Sequence, residues 1–181
     1  MKNILVAQRY SQAIISGLDD NEINSILADV ELMSNSIKKE PELVNVVNSR
    51  LYPLDKRKDI VLSMAQKLNN TKLWNNLFDL LLKKHRFVII KDILQDLEYK
   101  ILDKKNQIKV GLTIAHKLPE NVLDSITEKL KSILGKDIIL DTKIDPEIVG
   151  GFVATTDFLL IDGSIKNNLV KLLKIKSKNK K

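Results

Sequence analysis

The stretch IDPEIVGGFVATTDFLLIDGS, residues 144–164, decides how the end of this chain folds. It carries three of the chain's six glycines, set between short apolar runs. Asp145-Pro146 is typical of a turn, and Gly150-Gly151 permits backbone angles that other residues avoid. Asp162-Gly163-Ser164 predicts a second tight reversal. So many turn residues between apolar runs predict a small, closely packed piece of sheet.

The glycine pair also raises the question of a phosphate-binding loop. Such a loop needs successive backbone amides at the start of a helix, usually followed by Lys and Ser or Thr. Here Gly150-Gly151 leads into Phe152-Val153-Ala154, which has the character of a strand, and the next lysine is Lys166. We therefore interpret the two glycines as structural residues of the sheet.

Upstream of residue 105 the apolar residues recur at helical spacing. The clearest example is the stripe that begins at Ile23 and ends at Ile37. Pro41, Pro53 and the Asn69-Asn70-Thr71 segment separate further helices. Six helices are predicted, with apolar stripes over residues 3–17, 23–37, 43–51, 60–68, 73–82 and 87–101, and they favour an all-helical bundle.

The spacing changes after Lys104. Apolar residues alternate from Ile108 to Ile114, which predicts a half-buried strand. A helix is predicted between Pro119 and Gly135, followed by strands near 138–144, 152–155 and 158–161, and by a last helix capped by Ser164. The predicted fold class is α+β, with a six-helix bundle at residues 1–105 and a small mixed α/β domain at residues 106–181.

The composition limits the class of protein. The 181 residues contain no cysteine, which excludes disulfide scaffolds and thiolate metal sites. No apolar run approaches the roughly 18 residues of a membrane span, and we expect an intracellular protein. The net charge is +7, and lysine supplies nearly all of the positive charge. The lysine-rich tail, residues 174–181, is interpreted as a solubilising terminus or as a weak attraction to an anionic membrane or acidic partner.

No constellation of catalytic residues stands out. His85 and His116 lie in different predicted domains, each beside a lysine. The acidic residues of the second domain are explained by caps and turns: Asp141, Asp145, Asp157 and Asp162. We therefore predict no catalytic residue, no cofactor and no metal.

Three segments carry a resemblance to a known family. They are VAQRYSQAI at residues 6–14, NLFDLLLKKHRF at residues 76–87, and the opening stretch with its residues Asp145, Pro146, Gly150, Gly151, Asp162, Gly163 and Ser164. In this order they resemble the delta subunit of bacterial F-type ATP synthases, the relative of the mitochondrial oligomycin-sensitivity-conferring protein. The third segment is the specific one, and the match spans essentially the whole chain.

Some positions depart from the family pattern. Lys83-Lys84-His85 stands where the family more often has small or acidic residues. Thr155-Thr156-Asp157-Phe158 lacks the basic residue and glycine that are common there, and Lys166-Asn167-Asn168 replaces an arginine. These changes leave the predicted fold intact and bear on the polar contacts of the second domain.

The resemblance implies a non-catalytic stator subunit of the proton-translocating ATP synthase. The helical domain would bind the N-terminal segment of an alpha subunit on the catalytic head, and the second domain would contact the b-subunit stalk. The protein would be a single copy in the complex, peripheral to the cytoplasmic face of the cell membrane, with no nucleic-acid partner.

The first and fifth helices carry more apolar residues than one buried face needs, as a groove for an amphipathic partner helix requires. We predict that six residues line this groove: Tyr10, Ala13, Ile14, Leu77, Leu80 and Leu81. The alternative is that these residues simply fill the core of the bundle. A second alternative, for the whole chain, is a basic nucleic-acid-binding protein, which the net charge and the lysine tail would suit.

Overall fold

A computed structural model gives the fold of residues 2–19, 21–148, 150–156 and 159–163. The first part of the chain is helical. A short 3₁₀ turn, Phe87–Ile89, connects the fifth and sixth helices. The six helices are α1 (Lys2–Ser16), α2 (Ile23–Lys39), α3 (Glu42–Asn48), α4 (Leu54–Ala65), α5 (Thr71–Lys83) and α6 (Ile90–Lys104).

These helices share one apolar core. The stripe predicted for α2 is buried, and Ile26 and Val30 are fully inaccessible to solvent. Aromatic side chains form its centre: the rings of Trp74 and Phe78 are 6.1 Å apart, and those of Phe78 and Phe87 are 5.7 Å apart. Because Phe87 belongs to the 3₁₀ turn, this aromatic row packs α5 against that turn.

Helix α5 ends in a Schellman motif, in which two backbone bonds satisfy carbonyls of the last turn. Arg86 N donates to Leu81 O at 2.8 Å, and His85 N donates to Leu82 O at 3.1 Å. The residue between helix and turn is His85, with a φ of 53°. A glycine is usual at this left-handed position, because a side chain there is strained.

The described residues of the second part of the chain form a four-stranded sheet and one helix, α7 (Glu120–Leu134). The strand order is β2-β1-β3-β4, with β1 and β2 parallel and the other pairs antiparallel. Gly135 ends α7 in the left-handed conformation, with a φ of 67°. The strands are β1 (Gln107–Ile114), β2 (Asp137–Ile144), β3 (Phe152–Thr155) and β4 (Leu160–Asp162).

The alternation predicted for β1 places its apolar residues on one face. Ile108, Val110, Leu112 and Ile114 are buried there, together with Ile126 and Leu130 of α7 and Ala154 of β3. Strand β2 lies at one edge of the sheet, and only its apolar residues Ile138 and Leu140 pack against this core.

The stretch 144–163 makes tight contacts with the sheet. Asp145 N donates to Ile114 O at 2.8 Å, and the Asp145 carboxylate accepts from Glu147 N at 3.0 Å, which forms the turn around Pro146. Gly151 has a φ of 85°, and Gly150 is buried. Gly163 N donates to Phe152 O at 2.9 Å, and a Cβ on Gly163 would lie 3.4 Å from that oxygen.

The prediction of an α+β chain is confirmed, with seven α-helices and a four-stranded mixed sheet in the described residues. The chain divides into two compact units, Met1–Ile101 and Leu102–Lys181. We call them the helical unit and the sheet unit. Ser164, the last helix and the lysine tail lie outside the described residues, as does the start of the strand expected at residue 158. No helix in the described part of the chain is long and apolar enough to cross a membrane.

Candidate partner-binding surface

The residues predicted to form a groove lie on α1 and α5, which both contact the 3₁₀ turn Phe87–Ile89. Their exposure differs widely. Leu81 is completely buried and Leu77 is 7% exposed, so both belong to the core, whereas Leu80 is 42% exposed. The three residues of α1 are more open: Tyr10 and Ile14 are half-buried against the core and Ala13 is exposed.

One side of α5 carries an apolar strip that reaches the surface. Leu73, Leu77, Leu80 and Lys84 are four, three and four residues apart, so they lie on one side of the helix. Leu73 is half-buried and Leu80 is exposed, while Leu77 between them is buried beneath the strip. The strip therefore has a buried floor and accessible apolar edges, and it ends at an exposed lysine.

On α1 a polar cluster covers one side and leaves the other open. The buried Ser11 hydroxyl bonds to the Asp96 carboxylate of α6. Lys100 Nζ donates to Ser11 Oγ at 3.0 Å and to Gln8 O at 3.1 Å, and it pairs with Asp96 at 2.8 Å. Helix α6 thus occupies the Gln8 side of α1, whereas Tyr10 and Ala13 lie toward its other side.

Other exposed apolar side chains lie on the same elements. Val88, in the 3₁₀ turn that contacts both α1 and α5, is 50% exposed. Ile4 and Leu5, at the start of α1, are 54% and 63% exposed. Sequence reasoning missed Val88, because it read residues 87–101 as one helix with Ile90 and Ile93 inward. A break in helical spacing between Phe87 and Ile90 is the signal that could have found it.

The start of α5 is held by a buried carboxylate on α2. Asp29, only 1% exposed, accepts from Asn69 N at 2.7 Å and from Asn70 N at 3.0 Å. The side-chain amides of the same two residues donate to it at 2.9 and 3.0 Å. Trp74 Nε1, one turn into α5, donates to Asp29 Oδ2 at 2.9 Å. Five donors therefore converge on one carboxylate.

The protonation of Asp29 follows from these contacts. Burial alone would raise the pKa of its carboxyl, yet the hydrogen bonds from Asn69, Asn70 and Trp74 outweigh burial and hold the pKa below its ordinary value. Asp29 is thus ionised near neutral pH. Sequence reasoning missed it, although an acidic residue between Ile26 and Val30 on the apolar stripe of α2 is a readable signal.

The described residues contain no group of three His, Asp or Glu side chains that could hold a metal ion. His85 and His116 are both exposed. The arrangement on α1 and α5 therefore offers apolar contact area and hydrogen-bonded supports behind it.

A family model and the similar proteins all carry the name of one subunit of the ATP synthase. The model of the family described as "ATP synthase delta (OSCP) subunit" matches residues 6–175. "ATP synthase subunit delta" of Desulfotalea psychrophila is 29% identical to this chain, over 95% of the chain and 96% of that protein. The protein of the same name from Syntrophobacter fumaroxidans is 28% identical, over 94% and 93% of the two chains.

A solved structure has the same fold. A chain of the cryo-EM structure of the Toxoplasma gondii mitochondrial ATP synthase hexamer superposes with a TM-score of 0.73, at 16% identity. The match covers 93% of this chain and 95% of that one.

Proposed function

The chain belongs to the ATP synthase delta (OSCP) subunit family, and on that premise we propose that it joins an alpha subunit to the b-subunit stalk. Family membership makes it a non-catalytic stator subunit of the F-type ATP synthase. We propose that residues 1–105 form a six-helix bundle that binds the N-terminal helix of an alpha subunit, and that residues 106–181 contact the b subunit.

The observation that carries the alpha-subunit proposal is the strip on α5. An amphipathic helix binds in a groove through apolar anchors three or four residues apart. Leu73, Leu77 and Leu80 follow one another at intervals of four and three residues along α5, and the buried Leu77 and Leu81 form the floor of the strip. On α1, the half-buried Tyr10 and Ile14 would supply the second apolar wall of the groove. Ala13 is small and exposed, so a partner helix can approach the backbone of α1 closely at that point.

The exposed apolar residues of the sheet unit support the proposal for the b subunit. Strand β2 is an edge strand, and its Ile139 and Ile144 are 37% and 52% exposed. Leu160 of β4 is 64% exposed. Apolar side chains at the edges of a small sheet are available to a long partner helix.

The proposed mechanism is mechanical. A stator resists the torque of the rotor, so its attachments must dissociate slowly, and nanomolar binding corresponds to about −12 kcal/mol. Two attachments in one chain hold each other in place, because each raises the effective concentration at the other. The chain would thereby keep the catalytic head from turning with the rotor.

The synthase is a membrane-associated complex, and we propose that this subunit is peripheral to the cytoplasmic face of the membrane, as one copy per complex. Membership in the family replaces the alternative of a nucleic-acid-binding protein. If the chain is a stator subunit, it should form no salt-sensitive complex with duplex or single-stranded DNA at physiological ionic strength, as measured by filter binding.

The alpha-subunit site is tested with Leu80→Asp. Leu62 of α4 is 43% exposed, nearly the same as Leu80, so Leu62→Asp is a matched control for a charge placed on an exposed leucine. Calorimetric titration with a peptide of the alpha-subunit N-terminus should show at least about a 30-fold loss of affinity for Leu80→Asp, and little loss for Leu62→Asp. Equal affinity of the two variants would refute the site.

A further inference from the structure

We infer that Asp29, acting through Trp74, decides which leucines of α5 face outward and so sets the surface that a partner meets. Asp29 is in this sense a positioning residue rather than a contact residue. The connection to the alpha subunit rests on the proposed function, but the facing of α5 does not depend on it.

Helix α5 is rich in leucine. Leucines occupy positions 73, 77, 80, 81 and 82, and the apolar side chains cover an arc of about 200°, with Leu80 at one edge and Leu82 at the other. Leu80 and Leu82 lie about 200° apart around the axis, and the structure exposes 42% of one and 2% of the other. The hydrophobic effect has no direction and scales with buried area. Burial alone therefore discriminates poorly between the observed rotation of α5 and a modestly turned one that buries Leu80 and exposes Leu82.

Hydrogen bonds do have direction, and the start of α5 donates several of them to the Asp29 carboxylate. Asn69 N and Asn70 N bind its two carboxylate oxygens at 2.7 and 3.0 Å, which fixes where α5 begins. The bond from Trp74 Nε1 at 2.9 Å comes from a side chain one turn further along. The Trp74 bond adds a second off-axis contact, one turn beyond the start of the helix, and it therefore resists rotation of α5 about its axis.

A rotated α5 would carry the indole away from Asp29. The carboxylate would then be buried with fewer donors, since the five donors on it are all neutral groups of residues 69, 70 and 74. Loss of a donor to a buried charge is unfavourable, so the observed rotation is selected over its near-equal apolar alternative. Leu80 thus remains exposed and Leu73 half-buried, while Leu82 is buried.

An ordinary helix cap would explain part of this arrangement. A cap accounts for the amides of Asn69 and Asn70, but it has no use for the indole of Trp74. Trp74→Phe removes the indole donor and keeps an aromatic ring, whereas Asn70→Ala removes one side-chain donor at the cap and leaves the indole bond. The two variants therefore separate a positioning role from a capping role.

Cysteine labelling measures which leucine faces outward. The chain has no cysteine, so Leu80→Cys and Leu82→Cys each introduce one reactive thiol. In the parent chain, Leu80→Cys should react with a maleimide at least about 100-fold faster than Leu82→Cys, because the thiol at position 82 is buried. In the Trp74→Phe background this ratio should fall by about tenfold or more, and Asn70→Ala should leave it unchanged.

Asp29→Asn should lower the ratio of the two labelling rates below its value in Trp74→Phe, provided that circular dichroism shows Asp29→Asn to be folded. If Asp29→Asn does not fold, Trp74→Phe still tests the inference. An unchanged ratio in Trp74→Phe would overturn the inference and leave Asp29 as a cap.

Peptide titration separates the two proposals. Failure of the parent chain to bind the alpha-subunit peptide refutes the proposed function alone, while a fallen ratio with unchanged peptide affinity would show that the facing of α5 does not serve this partner.

Discussion

The helical unit and the sheet unit differ in how they fix the packing of their elements, because only the helical unit buries polar side chains among the residues described. The buried polar side chains of the described residues, Ser11, Asp29 and Arg57, all lie in the helical unit. Ser11 bonds to α6, Asp29 bonds to α5, and Arg57 Nη1 donates to Val47 O at the end of α3. The buried side chains of the sheet unit are all apolar among the residues described.

The difference follows from where each architecture places its directional bonds. A helix uses its backbone donors internally, so only side chains can specify how it is rotated against a neighbour. A sheet uses the same donors between strands, and the eight residues of β1 pair one to one with the eight of β2. A sheet therefore gains its register from the backbone, and its core can be purely apolar.

Removal of Asp29 tests this comparison most severely. Asp29→Ala leaves five donors without their acceptor in a buried place, and we expect the free energy of unfolding to fall by about 4 kcal/mol. Urea denaturation followed by circular dichroism measures this change. Asp59→Ala on the exposed side of α4 is the control, with a change of about 0.5 kcal/mol or less. A similar small change for both variants would contradict the role given to buried polar groups.

The corresponding change in the sheet unit removes apolar volume. Leu112→Ala, at a completely buried position of β1, should lower the free energy of unfolding by about 3 kcal/mol. Hydrogen exchange should show faster opening of the amides of β1 with the pairing to β2 unchanged, because register resides in the backbone. Leu160→Ala, at a 64% exposed position, is the control. A shift in register in Leu112→Ala would show that side chains specify this sheet after all.

Acid should act on the helical unit through Asp29. Its folded-state pKa lies below the ordinary value, so its contribution to stability is complete above about pH 4 and is lost as the pH falls through the folded-state pKa. Below about pH 4, the parent chain should therefore lose more stability than Asp29→Asn does. Urea midpoints at successive pH values measure this difference, and parallel curves for the two proteins would exclude it.

The smallest expected effect compares two helix ends, one in each unit. His85 after α5 and Gly135 after α7 both have positive φ, of 53° and 67°. His85→Gly should raise the free energy of unfolding by about 1 kcal/mol, and Gly135→Ala should lower it by about 1 kcal/mol. Thermal unfolding measures both, and effects of the same sign would contradict the assignment of strain at His85.

The sequence predicts where the helices and strands of this fold lie better than it predicts which side of each helix is buried. The spacing of apolar residues and the proline and glycine residues at element ends locate α2, β1 and α7, because each of these has one apolar face. In helix α5 the apolar residues cover a broad arc with Leu80 and Leu82 at its two edges, so the pattern places Leu81 in the core but does not decide which of the two edges is exposed. That choice depends on Asp29, which is 40 residues away from Asn69 along the chain. A contact of this kind is invisible to local spacing.

The order of strands in the sheet has a consequence for synthesis on the ribosome. Strand β1 lies between β2 and β3, and both of these follow it in the chain. At about 5–20 residues per second, the completed β1 waits for roughly 1.5–6 s before β2 is complete. During that time its alternate Ile, Val and Leu side chains have no sheet to cover them, whereas the helices before it already have their own core. A chaperone that acts on the nascent chain would therefore find these side chains of β1 uncovered during that interval.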